Sequence, residues 1–174
     1  MAATYDVIST QTLASTSATV TFSSIPATYT DLVLVTQSRA STTGTYDTDI
    51  GIRFNGDSSA VYSRTALYGN GTTAASFGAT GEGCIFGAVH PLSSGTANVW
   101  GIANYNIMNY SQATTLKTVL VRSSCLGASA DDVRALVGLW AGTAAVITSL
   151  SLILASGGSF AIGSTFTLYG IKAA

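Results

Sequence analysis

The chain has 174 residues, of which seven are Lys or Arg and eight are Asp or Glu, so 9% of positions are charged against about 25% in an ordinary soluble domain. A net charge of −1 with two Lys excludes binding to nucleic acid through its phosphates, which needs clustered cations. An apolar fraction of 47% excludes a disordered chain, and the shortage of charge for wet faces excludes a long surface helix or coiled coil. In place of charge stand 22 Ser, 25 Thr, 25 Ala and 18 Gly, together 90 of the 174 positions. Cys84 and Cys125 are too few for a disulfide scaffold. The length suits one domain over residues 1–174, long enough to bury about 70% of its unfolded surface.

Taken in chain order, Met1 to Ala14 has neither the basic start nor the apolar run of a secretory signal. Val7-Ile8 anchors a weak strand. From Ser17 to Ser23, Ala18, Val20 and Phe22 alternate with Thr19 and Thr21, the period of a half-buried strand. Leu32-Val33-Leu34-Val35 is dense enough for a strand covered on both faces. Ser38 to Thr48 reads as a long loop, and Ile50, Ile52 and Phe54 form the next alternating run. Asn55-Gly56 and Asn70-Gly71 are hairpin signals, because both residues accept positive φ. Thr72 to Gly83 reads as a second inserted loop, and Ile85-Phe86 as a weak strand. Further strands are expected at Val99 to Tyr105, Leu116 to Val121, Ala135 to Ala141, Val146 to Ala155 and Phe166 to Ile171. The best helical signal is Ser129 to Arg134, where Ser129 caps and Asp132 closes a capping box. About ten strands with no internal boundary predict one all-β, antiparallel β-sandwich, jelly-roll-like, with at most one or two short helical turns.

Ala135 to Ala155 is uncharged and long enough for a membrane span. Leu150, Leu152 and Leu154 alternate with Ser149 and Ser151, however, and Ala141-Gly142-Thr143 divides the stretch into strand-length halves, so strands are the better reading.

The sequence is poor in chemistry. The one histidine, His90, stands before Pro91 and reads as a strand-end residue without a catalytic partner rather than as the base of a triad. Cys84, Cys125 and His90 do not converge on a zinc pattern. Asp47-Thr48-Asp49 lacks the glycine and terminal glutamate of a calcium loop and reads as a solvated pair. Glu82 is the one glutamate, and the seven Asp show no glycosidase pairing. Gly69 to Ala74 matches the letters of a dinucleotide fingerprint, but no helical stripe follows it, and a hairpin turn accounts for it better. The expectation is no enzyme, no catalytic residue, no cofactor and no metal. Tyr62, Tyr68, Tyr105 and Tyr110 lie in or near polar or glycine-rich stretches and are the candidate interface residues, since an exposed Tyr can anchor a partner or stack on a sugar. Ordinary strand packing is the competing account of them.

The ordered set Val20-Thr21-Phe22-Ser23-Ser24-Ile25-Pro26, Tyr29 to Val35, Ile52-Arg53-Phe54-Asn55-Gly56-Asp57, Tyr62-Ser63 and Tyr68 to Gly71 resembles a family of tailed-bacteriophage virion structural proteins. Leu139-Trp140 with Thr143 to Val146, and Gly157 to Phe160 leading to Thr167 to Ile171, continue the likeness. The resemblance implies a capsid decoration or cement protein, a free thiol state for Cys84 and Cys125 after assembly in a reducing cytoplasm, and a place on the virion. It implies major capsid protein as partner and a homotrimer, with neither nucleic acid nor membrane bound. Similar domains at the ends of tail fibres imply an alternative, an appendage subunit binding a host-surface glycan. No fibre shaft or coiled coil precedes the first strand, which favours the free-standing accessory subunit. A third reading is a secreted lectin-like or hydrolytic sandwich relying on Asp47 or Glu82.

Overall fold

The structure is a computed structural model, and it describes residues 4–44, 48–126, 131–155 and 157–172. Among these residues twelve strands run in chain order: β1 (Tyr5–Thr12), β2 (Thr19–Phe22), β3 (Asp31–Ser38), β4 (Thr48–Phe54), β5 (Tyr62–Gly69), β6 (Ala74–Glu82), β7 (Ile85–His90), β8 (Gly101–Ile107), β9 (Lys117–Leu126), β10 (Asp131–Trp140), β11 (Leu150–Leu154) and β12 (Thr165–Ile171). They form an eight-stranded sheet, β1-β12-β3-β8-β9-β10-β5-β6, and a four-stranded sheet, β2-β11-β4-β7. Every pairing is antiparallel. The all-β sandwich expected from the alternation is the observed fold.

Eight strands carry a jelly-roll connectivity. The pairs β1–β12, β2–β11, β3–β8 and β4–β7 are the rungs of one long ribbon, and folding that ribbon over itself gives the halves β1-β12-β3-β8 and β2-β11-β4-β7. Two hairpins are inserted into this plan. The β5–β6 hairpin interrupts the step from β4 to β7, and β9–β10 interrupts the step from β8 to β11. Both extend the large sheet beyond β8, which doubles its width.

The core lies between the sheets. Leu32, Leu34, Ile50, Ile52, Phe54, Tyr105, Ile107, Val119, Leu150, Leu152, Phe166 and Leu168 are among its buried side chains, at alternate positions of their strands. β7 packs across β9 and β10 at two close approaches. A Cβ on Gly138 would meet Ile85 Cγ2 at 2.5 Å, and one on Gly87 would meet Leu136 Cδ1 at 2.2 Å. Each large side chain thus sits over a glycine of the facing strand.

Several expectations need correction. Residues 74–82 are the edge strand β6 rather than a loop. A flat edge strand needs no apolar alternation, and small residues fit it. Asp131 to Arg134 open strand β10 rather than a helical turn, because β9 and β5 pair with β10 on both sides and override the local capping signal; Ser129 and Ala130 lie outside the described residues. Asn55 and Gly56 do adopt φ of 51° and 71°, and Asp57 N donates to Phe54 O at 2.9 Å, but the turn leads from the small sheet into the large one instead of closing a hairpin. Asn70 to Thr73 do close the β5–β6 hairpin. Ala135 to Ala155 divides between β10 and β11, with the chain leaving the large sheet at Trp140. Among the described residues no helix is long and apolar enough to cross a membrane.

Candidate interaction surface

Three of the four candidate tyrosines belong to the core. Tyr62, Tyr105 and Tyr110 are 1%, 1% and 0% exposed, which corrects their reading as interface residues. Tyr62 and Tyr105 occupy inward positions of β5 and β8. Tyr62 stacks on Trp140 at 6.4 Å, and its hydroxyl accepts from Phe54 N at 3.1 Å and donates to Asp57 O at 3.0 Å. The Tyr110 hydroxyl donates to Pro26 O and accepts from Tyr29 N. Tyr105 is packed with its hydroxyl unpartnered among the described residues. Tyr68 is half-buried, its ring 6.0 Å from that of Phe77. Asn104 and Asn106 beside Tyr105 are the outward positions of β8, and Ser63 beside Tyr62 lies within β5, so polar neighbours in a strand point away from the core while the tyrosine between them points in; odd–even placement in the strands was the better signal.

His90 is fully buried at the end of β7. Its Nδ1 lies 3.1 Å from Ser38 Oγ, and its Nε2 has no partner among the described residues. Burial pushes its pKa down to about 3, so the ring is neutral. A Ser–His contact is the start of a nucleophilic pair, but Ser38 is 0% exposed as well and no substrate reaches it. Cys84 and Cys125 are buried, and no disulfide joins them. Burial pushes the Cys84 thiol up to about 12, which leaves it a poor nucleophile. Among the described residues no group of three His, Cys, Asp or Glu side chains is placed to hold a metal; Asp47 lies outside the described residues.

The four-stranded sheet is too narrow to cover the inner face of β5 and β6, and an ion network closes that flank. Arg64 donates to both oxygens of Glu82, at 2.8 and 3.0 Å, and to Phe86 O at 2.9 Å. Arg134 donates to Asp132 Oδ2 at 2.7 Å and to Asp49 Oδ1 at 2.5 Å. Both guanidinium groups lie against Phe77, 5.3 and 5.6 Å from its ring centre, within cation–π range. Burial works against the Arg134 charge, but the Asp132 and Asp49 carboxylates outweigh it and hold its pKa above the ordinary arginine value. Glu82 is therefore a structural ion-pair member, and its engagement with Arg64 leaves it ill-suited to sugar chemistry. The pairing was invisible in sequence, where its members are up to 85 positions apart.

The remaining feature is the outer face of the large sheet. Cross-strand register places side chains there in straight rows. One row runs Val35, Asn104, Arg122, Ala135, Leu67, Ser76; beside it lie Gln37, Ile102, Ser124, Val133, Gly69, Ala74, and on the other side Val33, Asn106, Leu120, Val137, Thr65, Gly78. Leu67, Val133 and Ile102 are 63%, 58% and 56% exposed, and Val137, Leu120 and Val35 also stand in solvent. Across β8, β9, β10, β5 and β6, Arg122 is the one charged outward side chain among those described. Three shallow grooves of about 320, 420 and 350 Å³ meet at it. Six large apolar side chains on adjoining strands form a patch of the kind that marks an interaction site. Sequence reasoning missed this face because Val, Leu and Ile in a strand point to the core as readily as to solvent until the sheet order is known.

No protein-family model, no curated protein and no solved structure matches the chain.

Proposed function

We propose that the chain is a bacteriophage virion structural protein, a capsid decoration or cement subunit that sits on the head and bridges major capsid subunits, acting as a homotrimer without enzymatic activity. The ordered residue set quoted above supplies the phage assignment. The observation that carries the docking role is the broad, nearly uncharged outer face of the eight-stranded sheet. A face of Ser, Thr, Ala, Asn and short aliphatic side chains has little rotamer entropy to lose on docking and few charges to desolvate. At strand spacings of about 4.8 Å it spans roughly 34 Å across the sheet and on the order of 700 Å², close to the ~800 Å² that each partner buries in a standard interface. Jelly rolls serve many roles, so the fold alone carries none of this.

The alternative, an appendage subunit that stacks a host glycan on tyrosine, finds no platform in Tyr62, Tyr105 or Tyr110, which are buried. Counting the subunit in purified particles by quantitative mass spectrometry separates the two readings. The proposal expects copies in the hundreds, on the scale of the shell. A handful per particle would place it on the tail, and absence from particles would reject both.

A further inference from the structure

We infer that the free edge of β6 pairs antiparallel with β6 of a second copy of this chain, about a two-fold axis at Phe77, and so joins two eight-stranded sheets into one. The inference does not rest on the virion reading. Being two-fold, the contact stands beside the three-fold contact of the proposed homotrimer and links a subunit of one trimer to a subunit of the next.

Among the described residues the two sheets end in four edge strands, β1, β6, β2 and β7, and three of these edges are guarded. β1 is broken by a bulge between Val7 and Ser9 and carries the Asp6–Lys172 ion pair. β2 is only four residues long, and its Thr21 O accepts from Gln11 Nε2 at 2.8 Å. On β7, Phe86 O accepts from Arg64 Nη1 at 2.9 Å, Val89 N donates to Ser123 Oγ at 3.2 Å, and the pairing with β4 is broken at Ile50/Gly51. Bulges, charges and short length are the devices that keep an edge from pairing. β6 has none of them over Ala74 to Thr80: its nine residues include no Lys, Arg, Pro or Asp, and Glu82 at its far end is held by Arg64. Its one irregularity falls between Thr80 and Glu82, so Ala74 to Thr80 pairs with β5 without a break. Residues 48–126 are described continuously, so β5, β6 and the turns that flank them are complete.

Alternation fixes which backbone groups face out. Asn70 N donates to Thr73 O at 3.1 Å, so Asn70–Thr73 is a hydrogen-bonded pair, and by the β5–β6 register Tyr68–Ala75, Ala66–Phe77 and Arg64–Ala79 are hydrogen-bonded pairs as well. The residues between them, Ala74, Ser76, Gly78 and Thr80, turn both N–H and C=O away from β5, eight groups in a row. All four are small and exposed, so no side chain bars a further strand. This edge is its own complement. With Ser76 opposite Gly78 and Ala74 opposite Thr80, every one of the eight groups finds a partner on the second copy; a shift of two residues leaves Ala74 or Thr80 without one. The same register sets Phe77 opposite Phe77 at a non-hydrogen-bonded position, where side chains come closest and aromatic pairs stabilise a sheet. Phe77 is half-buried, with Ala75 and Ala79 as its same-face neighbours, and no charge from Ala74 to Thr80 meets its like across the axis. A foreign strand could satisfy the backbone, but the match of small residues with small and of Phe77 with itself selects a second copy, the isologous contact of a two-fold. An axis normal to the sheet keeps both outer faces on one side, so the apolar face of one copy runs on into that of the next.

The test is register-specific disulfide trapping. The register sets Ala75 opposite Ala79 of the second copy, also at a non-hydrogen-bonded position, with Cα atoms about 4.5 Å apart, within reach of a disulfide. Purified full-length Ala75→Cys and Ala79→Cys are oxidised with copper phenanthroline, separately and mixed. Cys84 and Cys125 are buried and serve as the unlinked background. The expected result is a disulfide-linked pair from the mixture and little from either variant alone. Adding Ser76→Pro, which removes an outward N–H and no bond to β5, should lower the yield about tenfold with the melting temperature unchanged. Ser76→Lys, which sets like charges on both sides of the axis, repeats that arm without altering the backbone. No link in the mixture, equal links from one variant alone, or a yield that neither Ser76 variant diminishes overturns the inference. So does a purified chain that stays unlinked while Ala75→Cys or Ala79→Cys in assembled particles links to a different protein, which assigns the edge to that protein.

Discussion

Arg134 donates to Asp49 at 2.5 Å, and this pair joins β10 of the large sheet to β4 of the small one. The contact lies where β7 ends its cover of the inserted hairpins, and the same guanidinium lies 5.6 Å from the centre of the Phe77 ring. Replacing Arg134 by Ala strands the Asp49 and Asp132 carboxylates at a partly dry site. Removing one member of a buried pair costs about 3–5 kcal/mol, and partial exposure lowers that here to about 2. Thermal or urea denaturation of Arg134→Ala checks it. The double variant with Asp49→Ala should lose less than the sum of the two single losses, because the members of one network are coupled.

The buried tyrosines make opposite predictions at their hydroxyls. Tyr105 has an unpartnered buried O–H, whereas that of Tyr62 is bonded on both sides. Tyr105→Phe should leave stability unchanged or raise it by about 1 kcal/mol, and Tyr62→Phe should lower it by about 1 kcal/mol. Chemical denaturation of the two variants side by side distinguishes them, and neither should alter partner binding.

His90 makes the fold acid-sensitive. Its folded pKa of about 3 lies below the unfolded value of about 6.5. The sign follows from proton uptake: below pH 6.5 the unfolded chain binds a proton that the folded chain refuses. The stability is full above 6.5 and falls by about 1.4 kcal/mol per pH unit toward pH 3. Between pH 6.5 and 5, above the ordinary carboxylate range, this loss dominates. Urea midpoints across that window should fall for the natural chain and stay flatter for His90→Gln.

The β7–β10 crossing depends on its glycines. Gly138→Ala places a methyl 2.5 Å from Ile85 Cγ2 and should cost about 1–3 kcal/mol by overpacking. Pairing it with Ile85→Val should recover part of that loss, read as a shift in melting temperature.

Most of the sandwich was legible in the sequence. Val20 and Phe22, Leu32 and Leu34, and Ile50, Ile52 and Phe54 are buried in the strands that their period of two assigned. The illegible parts share one cause, pairing partners distant in sequence. Ala74 to Glu82 has no apolar stripe and becomes a strand because β5 offers it an edge. Asp131 and Asp132 carry a helix-start signal and are held extended by β9. Arg122 looks like any strand arginine until the registers of β8 and β10 place it amid Ile102, Leu120 and Val133.

The most direct measurement is a cryo-electron microscopy map of the particle that carries this subunit, at a resolution that shows side chains. The account predicts the eight-stranded sheet laid flat on a neighbouring protein, with Leu67 and Val133 covered. A map in which this face looks into solvent, with attachment through the four-stranded sheet or the loops, contradicts it.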